Sequence, residues 1–562
     1  MKSKVSPKQG AESPFPGWGW YFAGLIVLNL LPMWVFPFFP SQDGAAHLHS
    51  AVALRALASD DMFFQGYYES NWRIASNQAY HLMLVGLSYF FSFLVAEKLI
   101  LSLYVIALPI AILFAIRQLR SRNSLAVFLV FPVIYSYVLH MGFYNYCLGL
   151  IVFLLAIGLY FRFTRAPTPS NSIVLSAALL VTYFFHVVVT AGALLAIGSM
   201  AVARLLSGIF LRQQQPKMKL TGLTRSKWKE AGLLALAIMP VIIVSIDYLL
   251  STVNFVARED ASLFSMVTKS LPKLVVAPSP LQALTTFSMV DLLISLPWAL
   301  LLLILAGISL KTDRRHGDDN QYVFLGFGVV VFLILILAIP KAIGPIHFLF
   351  GRFLPYFYFL YILWLSTKSL TPFIWRHAVI FVIALSVANI AYRLPIYAEL
   401  NYDIAEFTSA ASHIEDNSTV FSIVLGKTVP GGLSKMGPRL RFEHIKPSTP
   451  GYIGLQRRIV NLGNYQAVRD YFPIKFRDET NPHLLLFGYG GKFEINFDAY
   501  ETETGRKVDY VLLWGSLDKE IYREEVSSLL SEISRRYTLV YVSKPRGLMR
   551  LYRANTNTSL QH

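Results

Sequence analysis

An acid and two histidines lie close together in the stretch Pro40–Ser50, directly after the first long apolar segment of the chain. Asp43, His47 and His49 stand where a membrane helix would return to water. Ionisable groups at that depth are energetically unfavourable and are functional candidates by default. We expect Asp43 and His47 to be catalytic. Asp43 also has a structural alternative, because it is placed to cap a helix over 45–58 by accepting backbone N–H groups, and both roles can hold together.

Other polar side chains fall at breaks between apolar segments, on the same predicted outer side. The candidates for binding a donor phosphate are Arg352, His347 and His186. The candidates for contacting an acceptor or a lipid are His49, His81, His140, Tyr144 and Asn145. Structural alternatives stay open for several of them. His140 and His186 also suit an interfacial position satisfied by water, Asn145 suits a helix cap, and Arg352 suits contact with lipid phosphates.

A cavity that combines a carboxylate, an arginine and histidines suits attack on a lipid-linked phosphate substrate. The carboxylate can remove the proton of an acceptor hydroxyl. Arginine and histidine can stabilise the charge that develops on a departing phosphate. ATP and nucleotide sugars are cytoplasmic, so an outer active site requires a lipid-carried donor.

The composition predicts the elements that must position these side chains. The chain has 562 residues, of which 55% are hydrophobic and 15% charged. Repeated apolar runs near the length of a membrane span indicate a polytopic helical membrane protein. The single cysteine, Cys147, excludes an intrachain disulfide and a cysteine-based metal site. Residues 1–19 are polar, and no small-residue cleavage site follows the first apolar run, so we expect a cytoplasmic tail followed by an uncleaved anchor.

The predicted domains are the tail 1–19, a transmembrane domain 20–396 with an outer loop 39–78, and an extracytoplasmic α/β domain 397–562. Spanning helices are predicted at 20–38, 79–94, 99–116, 124–140, 144–162, 171–188, 190–208, 231–250, 286–310, 321–340, 350–367 and 376–396. Residues 1–396 hold 29 Lys and Arg against 14 Asp and Glu, and most of this excess falls in short loops. That distribution indicates cytoplasmic loops and argues against nucleic-acid binding. The number of segments is one too many for this topology, and 79–94 is the weakest of them.

Residues from 397 onward have a soluble, mixed character. Strands are predicted at 420–424, 483–487, 508–514, 539–542 and 548–552, and a helix at 520–537. We find no phosphate-binding P-loop, no dinucleotide fingerprint after a strand, no HExxH and no GxSxG motif in this part.

The arrangement resembles the GT-C superfamily of polytopic glycosyltransferases, which use polyprenyl-phosphate sugars on the outer leaflet. Asp43 follows the first helix, where that superfamily keeps its proposed catalytic base. The loop continues as interfacial helices over 45–61, and the chain ends in an extracytoplasmic domain. The paired acids that the superfamily often shows are missing, since Gly44 follows Asp43. The resemblance therefore implies a base role for Asp43 and no other residue role.

The resulting hypothesis is a glycosyltransferase of the cytoplasmic membrane that moves a sugar from a polyprenyl-phosphate donor to an acceptor hydroxyl. Its partners would be the lipid bilayer, the lipid-linked sugar and a glycan, lipid or protein acceptor. No strict ligand set for a divalent metal is present, so the sequence leaves metal use open. The alternatives are a transporter or flippase of lipid-linked glycans and a non-catalytic scaffold of an envelope polysaccharide system.

Overall fold

Apolar helices dominate the structure, a computed structural model that describes residues 16–121, 123–214, 220–258, 289–312, 321–338, 342–343, 346–347, 349–425, 449–486, 495–515, 517 and 523–555. The α-helices up to residue 408 are α1 (Trp18–Trp34), α2 (Gly44–Leu57), α3 (Met62–Gln65), α4 (Ala79–Ser88), α5 (Phe93–Gln118), α6 (Tyr137–His140), α7 (Tyr144–Arg165), α8 (Pro169–Phe185), α9 (Val187–Gln214), α10 (Leu220–Arg258), α11 (Leu292–Thr312), α12 (Gln321–Ala338), α13 (Leu349–Ser366) and α14 (Pro372–Thr408). A 3-10 helix, Ser124–Val133, precedes α6.

Seven described helices are long and apolar enough to cross a membrane, judged by length and composition: α5, α7, α9, α10, α11, α13 and α14. The shorter apolar helices are α1, α4, α8, α12 and the 3-10 helix. Local sequence starts several of these elements. The side chains of Thr168 and Thr371 each accept a hydrogen bond from the backbone N–H three residues later. A proline follows each threonine at the first helical position. The helices fit the predicted polytopic helical protein.

The two ends of the helical bundle differ in their polar residues. At one end, Arg165 donates to Gln118 Oε1 at 2.8 Å and Arg204 donates to the Thr164 carbonyl at 3.1 Å. Asn123 joins the same end by donating to the Ser366 carbonyl at 3.2 Å. The opposite end, called the site end here, holds the turn before α2, the α6–α7 break and the start of α13. In the described part of the chain, the residues of the predicted basic loops and the predicted site residues therefore lie at opposite ends of the bundle.

The strands are β1 (Tyr68–Ser70), β2 (Ala342–Ile343), β3 (Ile346–His347), β4 (Ser418–Val424), β5 (Ile459–Asn461), β6 (Ile474–Phe476), β7 (Tyr510–Trp514), β8 (Tyr537–Val542) and β9 (Met549–Ala554). Five of them form one sheet in the order β5-β4-β7-β9-β8. β4 runs parallel to β5 and β7, whereas β9 is antiparallel to β7 and β8. β7 is buried along its whole length, which explains its continuous apolar sequence.

The C-terminal helices are α15 (Pro450–Ile453), α16 (His483–Leu486), α17 (Phe497–Thr504) and α18 (Arg523–Arg536). The outer loop lies between the bundle and this C-terminal part. β1 pairs antiparallel with β6, so that Tyr68 stands opposite Phe476 and their rings stack at 4.7 Å. On the bundle side, Ser76 Oγ accepts a hydrogen bond from Val187 N at 2.6 Å. The loop is thus held from both sides.

Several sequence expectations are corrected. The predicted helix 79–94 ends at Ser88, because Ser92 adopts an extended conformation and caps α5 through Val95 N. The predicted helix 124–140 divides into the 3-10 helix and α6, with Pro132 near the division and unable to donate a helical hydrogen bond.

Two further differences fall near the C-terminal part. The predicted strand 483–487 begins as α16, since Asn481 Oδ1 accepts the His483 N–H at 3.0 Å. α14 continues through the predicted boundary at 397 and ends at Thr408.

Candidate active site

Asp43 stands at the N-cap position of α2, but its carboxylate does not cap the helix. Ser41 takes part of that role, because its Oγ accepts the Gly44 N–H at 3.1 Å. Gly142 lies against the Asp43 backbone with φ +79°, and a Cβ there would be 2.8 Å from Asp43 N. The capping alternative for Asp43 is therefore wrong, and its carboxylate is left for other partners.

The Asp43 carboxylate is buried, with 8% of the residue exposed. Gln42 Nε2 approaches its Oδ1 at 3.4 Å, and the Tyr465 hydroxyl also hydrogen-bonds to it. Burial raises the pKa of Asp43 to about 6, while these hydrogen bonds and the charge of Arg352 act in the opposite direction. A carboxyl with this pKa changes between acid and base near neutral pH, as a general base must.

Arg352 lies in the first turn of α13, within electrostatic range of Asp43. Its guanidinium carbon lies 4.4 Å from the centre of the Phe143 ring, a cation–π arrangement. Its Nε is buried and has no hydrogen-bond partner among the described residues. Arg352 and Asp43 act on each other electrostatically but form no direct ion pair. An arginine with an unused buried N–H beside a carboxylate is suited to an anionic ligand.

His186 belongs to the surroundings of Arg352. It ends α8 in an extended conformation, and its Nδ1 accepts the Val188 N–H at 3.1 Å. Its ring lies 5.7 Å from that of Tyr146, and it is within electrostatic range of Arg352. The Tyr146 hydroxyl in turn donates to the Arg352 carbonyl. Two of the three predicted phosphate-binding residues are therefore neighbours.

His47 lies one turn after Asp43 and is held by a buried hydrogen-bond network. Its Nε2 donates to the Gly142 carbonyl at 3.0 Å, so its Nδ1 is free to accept. Gln466 Nε2 donates to that Nδ1 at 2.9 Å, and His81 Nε2 lies 3.2 Å away. Gln466 Oε1 accepts from His81 at 3.2 Å and from Ser50 at 2.8 Å.

This network makes His47 a neutral ring. Burial, with the neighbouring His81 ring as a second cause, lowers the pKa of His47 well below its ordinary value. Both ring nitrogens already have protein partners. The structure therefore assigns His47 a clear positioning contact, and its predicted catalytic role stays a prediction.

Behind the Asp43 turn lies a cluster of hydroxyl groups and one acid. Tyr144 Oη and Ser41 Oγ are hydrogen-bonded at 2.6 Å. A Cβ on Gly44 would lie 2.9 Å from Tyr144 Oη and 3.2 Å from Glu97 Oε1. Glu97 is fully buried, and neither of its carboxylate oxygens has a hydrogen-bond partner among the described residues. The cluster fixes the backbone that carries Asp43.

Two of the predicted contact residues, His49 and His140, are held by hydrogen bonds away from Asp43. His49 is fully buried, and its Nε2 accepts the Asn461 N–H at 3.3 Å; burial lowers the pKa of His49 to about 4. His140 bonds through Nδ1 to the Ser136 carbonyl and through Nε2 to the Tyr397 hydroxyl at 2.5 Å. The first of these hydrogen bonds joins α2 to β5, and the bond to Tyr397 joins α6 to α14.

Asn145 caps a helix, but a different one from the helix expected. Its Oδ1 accepts the Tyr80 N–H at 2.8 Å, and its Nδ2 donates to the Asn77 carbonyl at 3.0 Å. It therefore holds the start of α4 rather than the start of α7. The backbone of His347 belongs to β3, and its side chain lies outside the described residues.

Sequence reasoning missed the contribution of the C-terminal part. Tyr465 reaches the Asp43 carboxylate, and Gln466 joins the two histidines. Tyr471 acts electrostatically on both Asp43 and Arg352. No motif or spacing marks these three residues, because they are ordinary polar residues in a 3-10 helix (Tyr465–Val468) and the turn after it, far along the chain. They are recognised only from their contacts where the C-terminal part meets the outer loop.

Among the described residues, no group of three or more His, Cys, Asp or Glu side chains is arranged to hold a metal ion. A scan against protein-family models finds no matching family, and no curated protein is significantly similar to the chain.

Proposed function

We propose that the chain is a membrane glycosyltransferase that moves a sugar from a polyprenyl-phosphate donor to an acceptor hydroxyl. The observation that supports this most directly is the convergence of Asp43 and Arg352. A buried carboxylate with a pKa of about 6 and an arginine with an unused buried N–H lie within electrostatic range of each other and form no ion pair. A base and an anion-binding group are the two groups that this transfer needs.

The proposed reaction is a single displacement. Asp43 takes the proton of the acceptor hydroxyl as the acceptor oxygen forms a bond to the anomeric carbon. The bond between that carbon and the phosphate oxygen breaks at the same time, and polyprenyl phosphate departs with the electron pair. Attack from the side opposite the leaving group inverts the anomeric centre. The chain supplies the base and the charge stabilisation, which are usually the main catalytic terms.

Arg352 is the residue best placed to receive the donor phosphate. Its guanidinium is held against Phe143, so its orientation is fixed before the ligand binds. A fixed arginine loses little conformational freedom on binding, and its planar fork matches phosphate oxygens. His186 is a neighbour on the same side. From the C-terminal part, Tyr465 hydrogen-bonds to Asp43, and Tyr471 acts electrostatically on both Asp43 and Arg352.

The proposed topology places the site outside the cytoplasm. α4 is too short to cross a membrane, which removes the surplus segment of the sequence prediction. Eleven described segments then cross: α1, α5, the 3-10 helix with α6, α7, α8, α9, α10, α11, α12, α13 and α14. An odd number puts the N-terminus and the C-terminal part on opposite sides of the membrane. The positive-inside rule sets the end of the bundle that carries Arg165 and Arg204 in the cytoplasm. The N-terminus is then cytoplasmic and the C-terminal part lies outside.

The test is turnover in proteoliposomes with a polyprenyl-phosphate sugar and a mixture of envelope acceptors, followed as release of free polyprenyl phosphate. Asp43→Asn should lower turnover by about 100-fold or more, the usual range for loss of a general base. Asp60→Asn is the matched control, since Asp60 is exposed and its φ of +53° suits asparagine. Asp60→Asn should keep wild-type turnover.

The same assay separates the alternatives. Wild-type turnover by Asp43→Asn would remove Asp43 as the base. A transporter would move the lipid-linked sugar across the membrane without releasing polyprenyl phosphate. A scaffold would release none and would tolerate Asp43→Ala together with Arg352→Ala in an assembly assay.

A further inference from the structure

One face of α4 and of the three residues after it is apolar and open. Leu82, Tyr89 and Phe90 are 63%, 57% and 81% exposed. Leu82 lies on the side of α4 away from its buried residues, and Tyr89 and Phe90 follow directly after the end of the helix at Ser88. The opposite side is fully buried and carries Tyr80, His81 and Leu84. No described residue covers this face.

We infer that this face lies in the bilayer, so that α4 enters the outer leaflet without crossing it. Its ten residues span about 15 Å, roughly half of the hydrocarbon thickness. The chain then runs through Phe91 directly into α5, one of the helices able to cross a membrane. The open face is thus continuous along the chain with a membrane-spanning surface. This inference does not depend on the transferase proposal.

The chemistry of the segment fits lipid as the occupant. From 79 to 91 the only ionisable side chain besides tyrosine is His81, which faces inward and is fully buried. Arg55 marks the polar boundary. Its Nη1 donates to the Ser88 carbonyl at 2.7 Å, and its guanidinium lies 5.2 Å from the centre of the Tyr89 ring. An arginine beside a tyrosine is typical of the level of the lipid headgroups.

The position of α4 has a consequence for the site. Its buried face contributes His81, whose Nε2 lies 3.2 Å from His47 Nδ1. The thickness of one helix therefore separates the acyl chains from the network that holds the Asp43 turn. A ligand carried by a lipid would reach that network from the side, past α4, rather than from the aqueous phase.

Spin labelling tests the inference directly. Single cysteines replace Leu82 or Phe90 in a Cys147→Ala background, and the labelled full chain is placed in vesicles of phosphatidylethanolamine and phosphatidylglycerol. Collision rates are measured with oxygen, which enters lipid, and with a water-soluble nickel chelate. Val387, exposed on α14, is the lipid reference, and Glu503 on α17 is the water reference.

The expected result is a ratio of oxygen to nickel collisions at Leu82 and Phe90 close to that at Val387 and well above that at Glu503. A ratio equal to that at Glu503 would overturn the inference, because the face would then meet water. Low collision rates with both reagents would also overturn it, because a protein partner would then cover the face. The labels replace exposed side chains, so the fold is expected to tolerate them.

Discussion

His47 and Gln466 are joined by a hydrogen bond of 2.9 Å between the ring Nδ1 and the amide Nε2. The first belongs to the loop after the first helix, and the second to the C-terminal part. The bond makes the C-terminal part a component of the site, because Tyr465 comes with Gln466. Contact between the two parts is therefore needed to complete the surroundings of Asp43.

Replacing Gln466 by leucine should destabilise the protein. His47 Nδ1 would lose its amide donor, and the buried Ser50 hydroxyl would lose its acceptor. A buried polar group without a partner usually costs about 1–3 kcal/mol. Thermal unfolding in detergent measures the change. Gln456→Leu is the control, since Gln456 is exposed, and an equal effect of both variants would contradict the role of the network.

Asp43→Asn should stabilise the fold at alkaline pH. The folded-state pKa of about 6 lies above the ordinary value of 3.8. The contribution of Asp43 to the free energy of unfolding is therefore greatest below pH 3.8, and it is lost as the pH rises through 6. At about 1.4 kcal/mol per pKa unit, the difference approaches about 3 kcal/mol. Unfolding free energies of wild type and variant, measured on both sides of this range, test it. A difference that does not grow with pH would contradict the raised pKa.

Tyr465→Phe should raise the pKa of Asp43 further. The Tyr465 hydroxyl stabilises the ionised carboxylate, so its removal favours the protonated form. The acid limb of the pH–rate profile should move to higher pH. The infrared band of the protonated carboxyl can be assigned by its loss in Asp43→Asn. The pH at which this band disappears should also move to higher values, and this measurement requires no turnover. Tyr402→Phe, at an exposed tyrosine, should leave both unchanged.

Gly142→Ala should disturb the Asp43 turn. The residue has φ +79°, and its new Cβ would lie 2.8 Å from Asp43 N. Gly17→Ala is a matched control, because Gly17 has φ +70° but only Trp20 within 4 Å, at 3.9 Å. Strain alone costs about 1–2 kcal/mol at either position. The loss of unfolding free energy should therefore be larger at Gly142, and equal losses would show that backbone strain is the whole effect.

Arg546→Ala should loosen the C-terminal part from α14. Arg546 forms ion pairs with Asp403 at 2.6 Å and Glu406 at 2.5 Å, and both acids are buried. Removing the partner of buried charges usually costs about 3–5 kcal/mol. The exposed pair of Arg553 with Glu415 is the control, and its loss should cost at most about 1 kcal/mol. Limited proteolysis and thermal unfolding measure both, and similar effects would contradict a specific attachment.

The apolar helices, most of the C-terminal strands and the position of Asp43 after the first helix can be predicted from the sequence. Apolar runs, caps such as Thr371 and β-branched segments act over a few residues, so these elements can be predicted locally. Which polar residues come together depends on how distant segments pack. Arg352 reaches the neighbourhood of Asp43, Asn145 caps α4 instead of its own helix, and Tyr465 and Gln466 complete the site from the far end of the chain. These contacts depend on how helices and domains pack, and packing between distant segments leaves no periodic signal in the sequence.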